Sequence, residues 1–499
     1  MIILINLFSL LLNGLIFQKY LHAFQLKDYS ASRYLAFILK KNWIYITINL
    51  IALLLLFFKS YILTIILSLF VLMLNPIFNL RLISSHKTPL KYTGKVKRLY
   101  VISLIILALF TPFFFGAIFI NLIVFIVPII AAFINLYDRI RNHIFIKRAQ
   151  EKLSLNKTKV IAITGSNGKT SVKNILYEMM KDSFTVIKSP KSYNTPLGTA
   201  KFINESLTGL HEYVLLEYGA RRKGDIKKLC KLFGADYGIV TCVAPQHLQT
   251  FKSIENIYKT KKELPDFLRS DLAVFNLDNT HTNKMYQQKI GKKVGISIEQ
   301  PTEIYSSDIE IKDFKTHFTL HIGDDEFKVS TRLLGKHNIT NITLAAALAY
   351  KLGVRTSEIV KAIENLRFVP HRLELIQGRL NILDDSYNCS LASASEAIWV
   401  LNQIKLGTNC RTMIVTPGII EGGKCEQEIN FKLGELCCSA DYVVIVGEHN
   451  KTSLTNGLTA QNFTNIIYAP TLDHAKKEFA RLCPHDTLLL LNDLPDDYK

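Results

Sequence analysis

Two rhythms of apolar and polar positions divide this chain. Up to about residue 137 the apolar positions form long, nearly unbroken runs, at about 1–18, 43–58, 61–78, 99–115 and 117–137. Each is near the roughly 20 residues that a membrane-spanning helix needs. Breaks at Lys59–Ser60 and from Thr111–Pro112 to Gly116 predict two tight hairpins. From Val160 onward the runs shorten to strand length. "VIAIT", "YVLLEY", "YGIVTCV" and "LAVFNL" alternate with helix-like stretches, the rhythm of a mostly parallel sheet covered by helices. Residues 303–335 break that rhythm with alternating positions around "GDDE" and predict an antiparallel hairpin. After about residue 370 the βα rhythm restarts with "LNILDD", "RTMIVTP", "YVVIVG", "NIIYAP" and "TLLLLND". The expected architecture is an α-helical transmembrane domain of about five spans (1–150), then two α/β domains (155–368 and 370–499) meeting near "RFVPHR".

Charge sharpens the first part of this picture. The chain of 499 residues carries a formal +19. Sixteen Lys or Arg, from Lys19 to Arg148, face only Asp28 and Asp138 in the first 150 residues. Basic residues confined to the links between apolar runs follow the positive-inside pattern and argue against a nucleic-acid partner. Placing the three basic connections inside predicts a multi-pass plasma-membrane protein with its catalytic domains in the cytoplasm. The near absence of ionisable residues within the runs favours an anchor over a transporter. The eight cysteines begin at Cys230 and include no CxxC pair, so they read as buried or incidental thiols in a reducing compartment.

The chemistry concentrates after the change of rhythm. "VIAITGSNGKTSVKNIL" is a strand, a small polar loop and a helix start. Backbone amides of Gly165, Ser166, Asn167 and Gly168 at a helix N-terminus can surround phosphate oxygens. Lys169 can reach the β- and γ-phosphates and Thr170 can ligate Mg²⁺, with Ser171 next in the loop. The strict P-loop pattern asks for glycine where Ile163 stands. The strand before and the helix after carry the ATP assignment.

With these residues quoted, the region from about 155 to 499 resembles the Mur ligase family, nearest its D-alanyl-D-alanine-adding, MurF-type branch. "LHAFQLKDYSASRYL" and "PLKYTGKVKRL" are similar to loops of a membrane-anchored subgroup. The resemblance makes the first α/β domain a P-loop-type ATPase sheet, the family's central domain, and the second a Rossmann-like C-terminal domain. "TGSNGKTS" matches the nucleotide loop, and "SYNTPLG" matches an acceptor-proximal loop in which Asn194 and Thr195 are the contacts. By the same resemblance Glu217 in "LLEYGA" ligates one Mg²⁺ and His247 in "VAPQHLQTF" ligates a second. A carbamylated lysine in "KTKKE" also ligates metal. The alignment selects Lys261, with Lys259 and Lys262 as neighbours in the pattern. "FNLDN" places Asn276 and Asp278 near nucleotide, with Asn279 where the family has Asp. "KHNITN" places Asn338 and Asn341 at the adenine edge; Asn338 can equally serve as a helix N-cap. Arg372 in "HRLELI" would meet the phosphates from the C-terminal domain, and Asp385 in "DDSYN" would sit near nucleotide. The family continues Asn-x-Asn-Pro where this chain has Asn388-Cys389-Ser390-Leu391, which leaves that loop and amine selection open.

The implied reaction is ATP-dependent amide formation in cell-wall peptide synthesis. An acceptor carboxylate is phosphorylated, and the acyl phosphate is attacked by an amino acid or dipeptide amine such as D-alanyl-D-alanine. Two Mg²⁺ ions, Lys169 and Arg372 neutralise the meeting anions. The acceptor is a nucleotide- or lipid-linked peptide. The membrane segments in place of a UDP-sugar-binding domain favour the lipid-linked form. Alternatives are ligation onto another wall-associated polymer, a membrane ATPase or transporter, and a non-catalytic relative.

Overall fold

The computed structural model describes scattered residues between 18 and 90, and then 92–110, 116–190, 193–245, 248–368, 370–386, 389–420 and 425–492. The chain divides into two compact units, Met1–His143 and Ile144–Lys499.

In the first unit the sequence expectation is corrected. Among the described residues no helix is long and apolar enough to cross a membrane. The expected fourth and fifth spans fall on the helices Gly94–Phe110 and Gly116–Asn156. The first has 17 residues and begins with Lys95, Lys97 and Arg98; the second runs on through Asp138, Arg139 and Arg141. Arg98 donates to Asp138 at 2.9 Å, and Lys95 donates to Asn135 at 2.6 Å, so polar contacts tie the two helices together. The runs read as spans on hydropathy alone, but charged and polar residues lie on the same helices and pair across them. The five-span domain and the multi-pass plasma-membrane location fall with this finding. The apolar runs 1–18, 43–58 and 61–78 lie almost entirely outside the described residues.

The second unit is α/β, as the alternation of short apolar runs predicts. Its first sheet has nine strands: β1 (Lys159–Thr164), β2 (Val186–Lys188), β3 (Tyr213–Glu217), β4 (Tyr237–Val240), β5 (Ala273–Asn276), β6 (Lys293–Ser297), β7 (Ile304–Lys312), β8 (Lys315–Ile322) and β9 (Asp325–Thr331). Their order is β2-β3-β1-β4-β5-β6-β7-β8-β9. The pairs from β2 to β7 are parallel, and β7–β8 and β8–β9 are antiparallel. Parallel strands buried on both faces need continuous apolar runs. The five residues of β3 and of β1 from Val160 onward are all buried. The "GDDE" hairpin is β8–β9, turning at Gly323 with φ +60°.

The second sheet has six strands: β10 (Glu374–Ile376), β11 (Asn381–Asp385), β12 (Thr412–Thr416), β13 (Tyr442–Val446), β14 (Ile466–Ala469) and β15 (Thr487–Leu491), in the order β10-β11-β15-β12-β13-β14. All neighbours are parallel except β10 and β11. Each sheet has its own apolar core. Ile161, Ile163, Leu176 and Ile342 belong to the first, and Leu383, Ile414, Leu433 and Leu489 to the second. Leu334 and Leu373 belong to the second core although they flank the connection, so the two sheets share side chains there.

In the first sheet β1 lies between β3 and β4, and the chain leaves it first toward β3 and later toward β4. That reversal opens a crevice beyond the carboxyl ends of the strands, where open α/β sheets bind ligands.

Candidate active site

Residues 165–168 turn from the buried β1 into the helix Lys169–Met180 at that crevice. Gly165 has φ +147°, and a Cβ there would lie 1.9 Å from Thr241 Oγ1. Gly168 has φ +82°, and a Cβ there would lie 2.5 Å from Asn341 Oδ1. Only glycine fits either position, and the bare backbone is left to face a ligand. The helix starts at Gly168 with no side-chain cap and no acidic residue in its first turn. Its uncapped amides form an anion site.

The loop after β4 props up this turn. Ser166 N–H donates to Cys242 O at 2.8 Å. Ser166 Oγ donates to Ala244 O at 2.9 Å and accepts from Ala244 N–H at 3.0 Å. Thr241 Oγ1 donates to Asn167 O. The Ser166 hydroxyl is thus engaged with the scaffold.

Lys169 Nζ donates to Gly165 O at 2.7 Å and to Ser166 O at 2.8 Å, folding the side chain over its own loop. Burial lowers its pKa and Arg372 pushes the same way, while Glu217 opposes them. Arg372, just before β10, is near enough for its charge to be felt at Lys169. Thr170 Oγ1 donates to Glu217 Oε2 at 3.1 Å, joining the helix start to the end of β3. Glu217 is 1% exposed.

The three lysines of this segment differ in burial. On the helix Ile254–Asp266 Lys261 is 3% exposed, whereas Lys259 is exposed and pairs with Glu255, and half-buried Lys262 pairs with Asp266. Burial pulls the Lys261 pKa down to about 7, and the charge of Lys169 adds to the effect. A neutral amine beside a phosphate loop can react with carbon dioxide; an ammonium cannot. Glu263, two residues on, accepts the N–H groups of Gly224 and Lys227, both at 2.8 Å, and fastens this helix to the start of the helix Asp225–Phe233.

Asn194 packs on the end of β3, its Cγ 2.8 Å from where a Cβ on Gly219 would stand. Thr195 does something else, since its hydroxyl accepts from Gly198 N–H and caps the helix Pro196–Ser206. Asn276 and Asp278 are engaged at the end of β5. Asn276 Oδ1 accepts from Asp278 N–H at 3.0 Å, and Asp278 accepts from Ser297 Oγ and Ile298 N–H. Asn279 caps the next helix and exchanges two bonds with Val243, a packing role that asparagine fills well.

Asn341 meets the phosphate loop at Gly168, but Asn338 is not an N-cap. The helix Lys336–Lys351 is capped by Gly335, three residues before the cap read from the sequence, and Asn338 donates to Leu334 O at 2.8 Å. In the second sheet, Asp385 Oδ1 accepts from Leu373 N–H at 3.1 Å. Burial raises its pKa, with nearby His337 and Arg372 opposing. His371 and Leu373 both have positive φ, +61° and +50°, on either side of Arg372. Asp384 on the His371 ring and Glu374 on its N–H pin this strained turn. His247 lies outside the described residues.

The sequence reading missed Lys173. It is 1% exposed, and its Nζ donates to Glu217 Oε1 at 2.5 Å and to Ser189 Oγ at 3.4 Å. The signal was its spacing: residues 169, 173, 176 and 180 share one helix face, and a lysine among inward-facing apolar positions needs a partner.

Residues 163–349 match the Mur ligase middle domain. The chain is 32% identical over 254 residues to the UDP-N-acetylmuramoyl-tripeptide–D-alanyl-D-alanine ligase of Buchnera aphidicola subsp. Baizongia pistaciae, covering 49% of this chain and 54% of that protein. It is 28% identical over 315 residues to the protein of the same name from Escherichia coli K12, covering 62% and 68%. The chain thus spans little more than half to two thirds of these relatives. The MurF ligase of Thermotoga maritima, solved in complex with ADP, superposes with TM-score 0.63 at 24% identity over 70% of this chain and 80% of that one. The α/β fold of the second unit is the fold of those ligases.

Proposed function

We propose that this chain, whose residues 163–349 match the Mur ligase middle domain, is an ATP-dependent ligase of peptidoglycan peptide synthesis. In this reading it adds D-alanyl-D-alanine to a UDP-linked tripeptide, as the names of its relatives state for them. The names of these relatives lend no support to the lipid-linked acceptor that the sequence favoured. The observation that carries the reading is the convergence of Lys169, Thr170, Glu217 and buried Lys261 on one glycine-built phosphate loop.

The residues present fit nucleotide and metal. The Gly165 and Gly168 positions exclude side chains, and the uncapped helix start offers amides to a polyphosphate. Thr170, Glu217 and a carbamylated Lys261 would offer an oxygen-rich donor set suited to Mg²⁺. The two-ion count remains part of this proposal. Bound magnesium would neutralise phosphate charge.

Lys169 exchanges its loop carbonyls for the γ-phosphate, and Arg372 supplies a second cation from the other sheet. Asn194, beside Gly219, orients the acceptor carboxylate. A carboxylate oxygen then attacks the γ-phosphorus and ADP departs. The amine attacks the acyl carbon of the resulting acyl phosphate; phosphate leaves with the bonding pair and the amine loses a proton. The two α/β sheets exclude the water that would otherwise hydrolyse the intermediate.

The test is phosphate release from ATP with Mg²⁺, the UDP-linked tripeptide and D-alanyl-D-alanine, with the product mass measured. Well-folded protein that releases no phosphate above background with any acceptor and amine pair would refute the ligase reading.

A further inference from the structure

Lys173 sits where three functional segments meet. It lies on the helix that starts the phosphate loop, its Nζ donates to Glu217 on β3, and it also reaches Ser189, which opens the segment leading to Asn194. Both members of the Lys173–Glu217 pair are 1% exposed. The carboxylate is divided between two donors. Oε1 takes the ammonium at 2.5 Å, and Oε2 takes the Thr170 hydroxyl at 3.1 Å. A carboxylate held at one oxygen cannot rotate freely, so Oε2 stays on the Thr170 side.

We infer that Lys173 is a positioning residue: it holds Glu217 by Oε1 and thereby keeps Oε2 and Thr170 Oγ1 as an oriented oxygen pair for a divalent cation. The inference rests on the nucleotide and Mg²⁺ reading above. A buried ion pair alone would also exist as plain scaffolding. The second contact, from Oε2 to the hydroxyl of the residue after the loop lysine, is what directs the carboxylate at the site. Ser189 extends the same ammonium toward the Asn194 segment, so one side chain registers the cation oxygens against the acceptor side.

Two physical roles for Lys173 predict opposite signs. If it acted only through its charge, removing a cation from the neighbourhood would tighten binding of another cation. If it positions Glu217, removing it loosens the oxygen pair and weakens cation binding despite the lost repulsion. Outer contacts of this kind change metal affinity by roughly 10- to 100-fold.

The experiment measures ADP affinity by titration calorimetry with Mg²⁺ and with EDTA, for wild type, Lys173→Met, Glu217→Gln and the double variant. Wild type should bind ADP more tightly with Mg²⁺. Lys173→Met should cut that Mg²⁺ enhancement by at least about tenfold while changing the EDTA affinity less than about twofold. In the Glu217→Gln background, Lys173→Met should change the residual enhancement less than about twofold, because the group it positions is gone. An unchanged or larger Mg²⁺ enhancement in folded Lys173→Met overturns the inference and leaves the nucleotide reading intact. A wild type with no Mg²⁺ enhancement overturns both. Should Lys173→Met not fold, the Glu217→Gln pair decides alone: a further loss of tenfold or more on adding Lys173→Met overturns the positioning role.

Discussion

Lys261 gives the sharpest prediction, because its environment sets both a chemistry and a pH range. Its amine is 3% exposed and titrates at about 7 instead of the ordinary 10.5, chiefly through burial and next through the charge of Lys169. At about pH 7.5 roughly three quarters of Lys261 is then neutral, against about one part in a thousand for an ordinary lysine. Only the neutral amine adds carbon dioxide, so the site raises the reactive population by several hundredfold. Phosphate release should fall as pH drops from about 7.5 to 6, where only about a tenth of the amine stays neutral. Added bicarbonate should lift the activity of protein prepared in carbon-dioxide-free buffer. A ¹³C-carbamate resonance should appear with labelled bicarbonate in wild type and vanish in Lys261→Ala. Short carboxylic acids should partly restore activity to that variant. Full activity of Lys261→Ala without additive, or no carbamate signal in active wild type, would refute the reasoning.

The same shift has a stability consequence, measured without bicarbonate. The native pKa lies below the unfolded one, so between about 7 and 10.5 the unfolded chain binds more protons and stability rises with pH. Below about 7 the full penalty is present, on the order of 5 kcal/mol for a shift this large. Lys261→Met should therefore melt higher than wild type at pH 7, and the gap should close toward pH 10. A gap independent of pH would contradict the assignment.

Three further outcomes follow from geometry. Gly168→Ala should abolish nucleotide binding and cost about 1–3 kcal/mol in thermal melts, since φ is +82° and the new methyl meets Asn341. Asp385→Asn keeps an acceptor for Leu373 N–H but removes a buried charge. Its melting temperature should exceed wild type most at pH 8, because a raised native carboxyl pKa makes wild-type stability fall as pH climbs through that value. Ser390→Ala should destabilise by about 1 kcal/mol in denaturant titration, while Ser390→Asn should not.

Strands β1, β3, β4, β5 and β11 to β15 were legible as short apolar runs, because a parallel strand buried on both faces has almost no polar positions to hide it, whereas β2 and β6 went unread. β10 was not legible either: three residues, half-buried or exposed, leave no run to see. The start of the Lys336–Lys351 helix was misjudged because asparagine is a common cap, whereas Gly335 caps here with φ +93° and no side chain. The phosphate loop was readable from its local motif, whereas Glu217 was singled out by the family resemblance, with its strand-end position only in support. Lys173 escapes notice because lysine on a helix is ordinarily solvated, and only the sheet packing brings Glu217 over it. The apolar N-terminal runs misled most: mean hydropathy does not report the charged residues, such as Arg98 and Asp138, that pair across the helices on which the fourth and fifth runs fall.

The altered loop after β11 also takes on a different meaning. Asn388-Cys389-Ser390-Leu391 departs from the family pattern and left amine selection open. Yet Ser390 caps the helix Leu391–Thr408 in a reciprocal box with Ser393, and Cys389 is buried beneath it. Serine and asparagine are near equals at an N-cap. The exchange therefore keeps the helix start while removing one amide side chain from the loop. If that amide serves to cap, Ser390→Asn in this chain should leave KM for the amine unchanged. If it serves recognition, the substitution should shift KM several-fold with kcat nearly constant, because a contact made equally in ground and transition states moves binding alone. Steady-state kinetics over a panel of amines separates the two, and an unchanged KM assigns amine selection to residues other than this one.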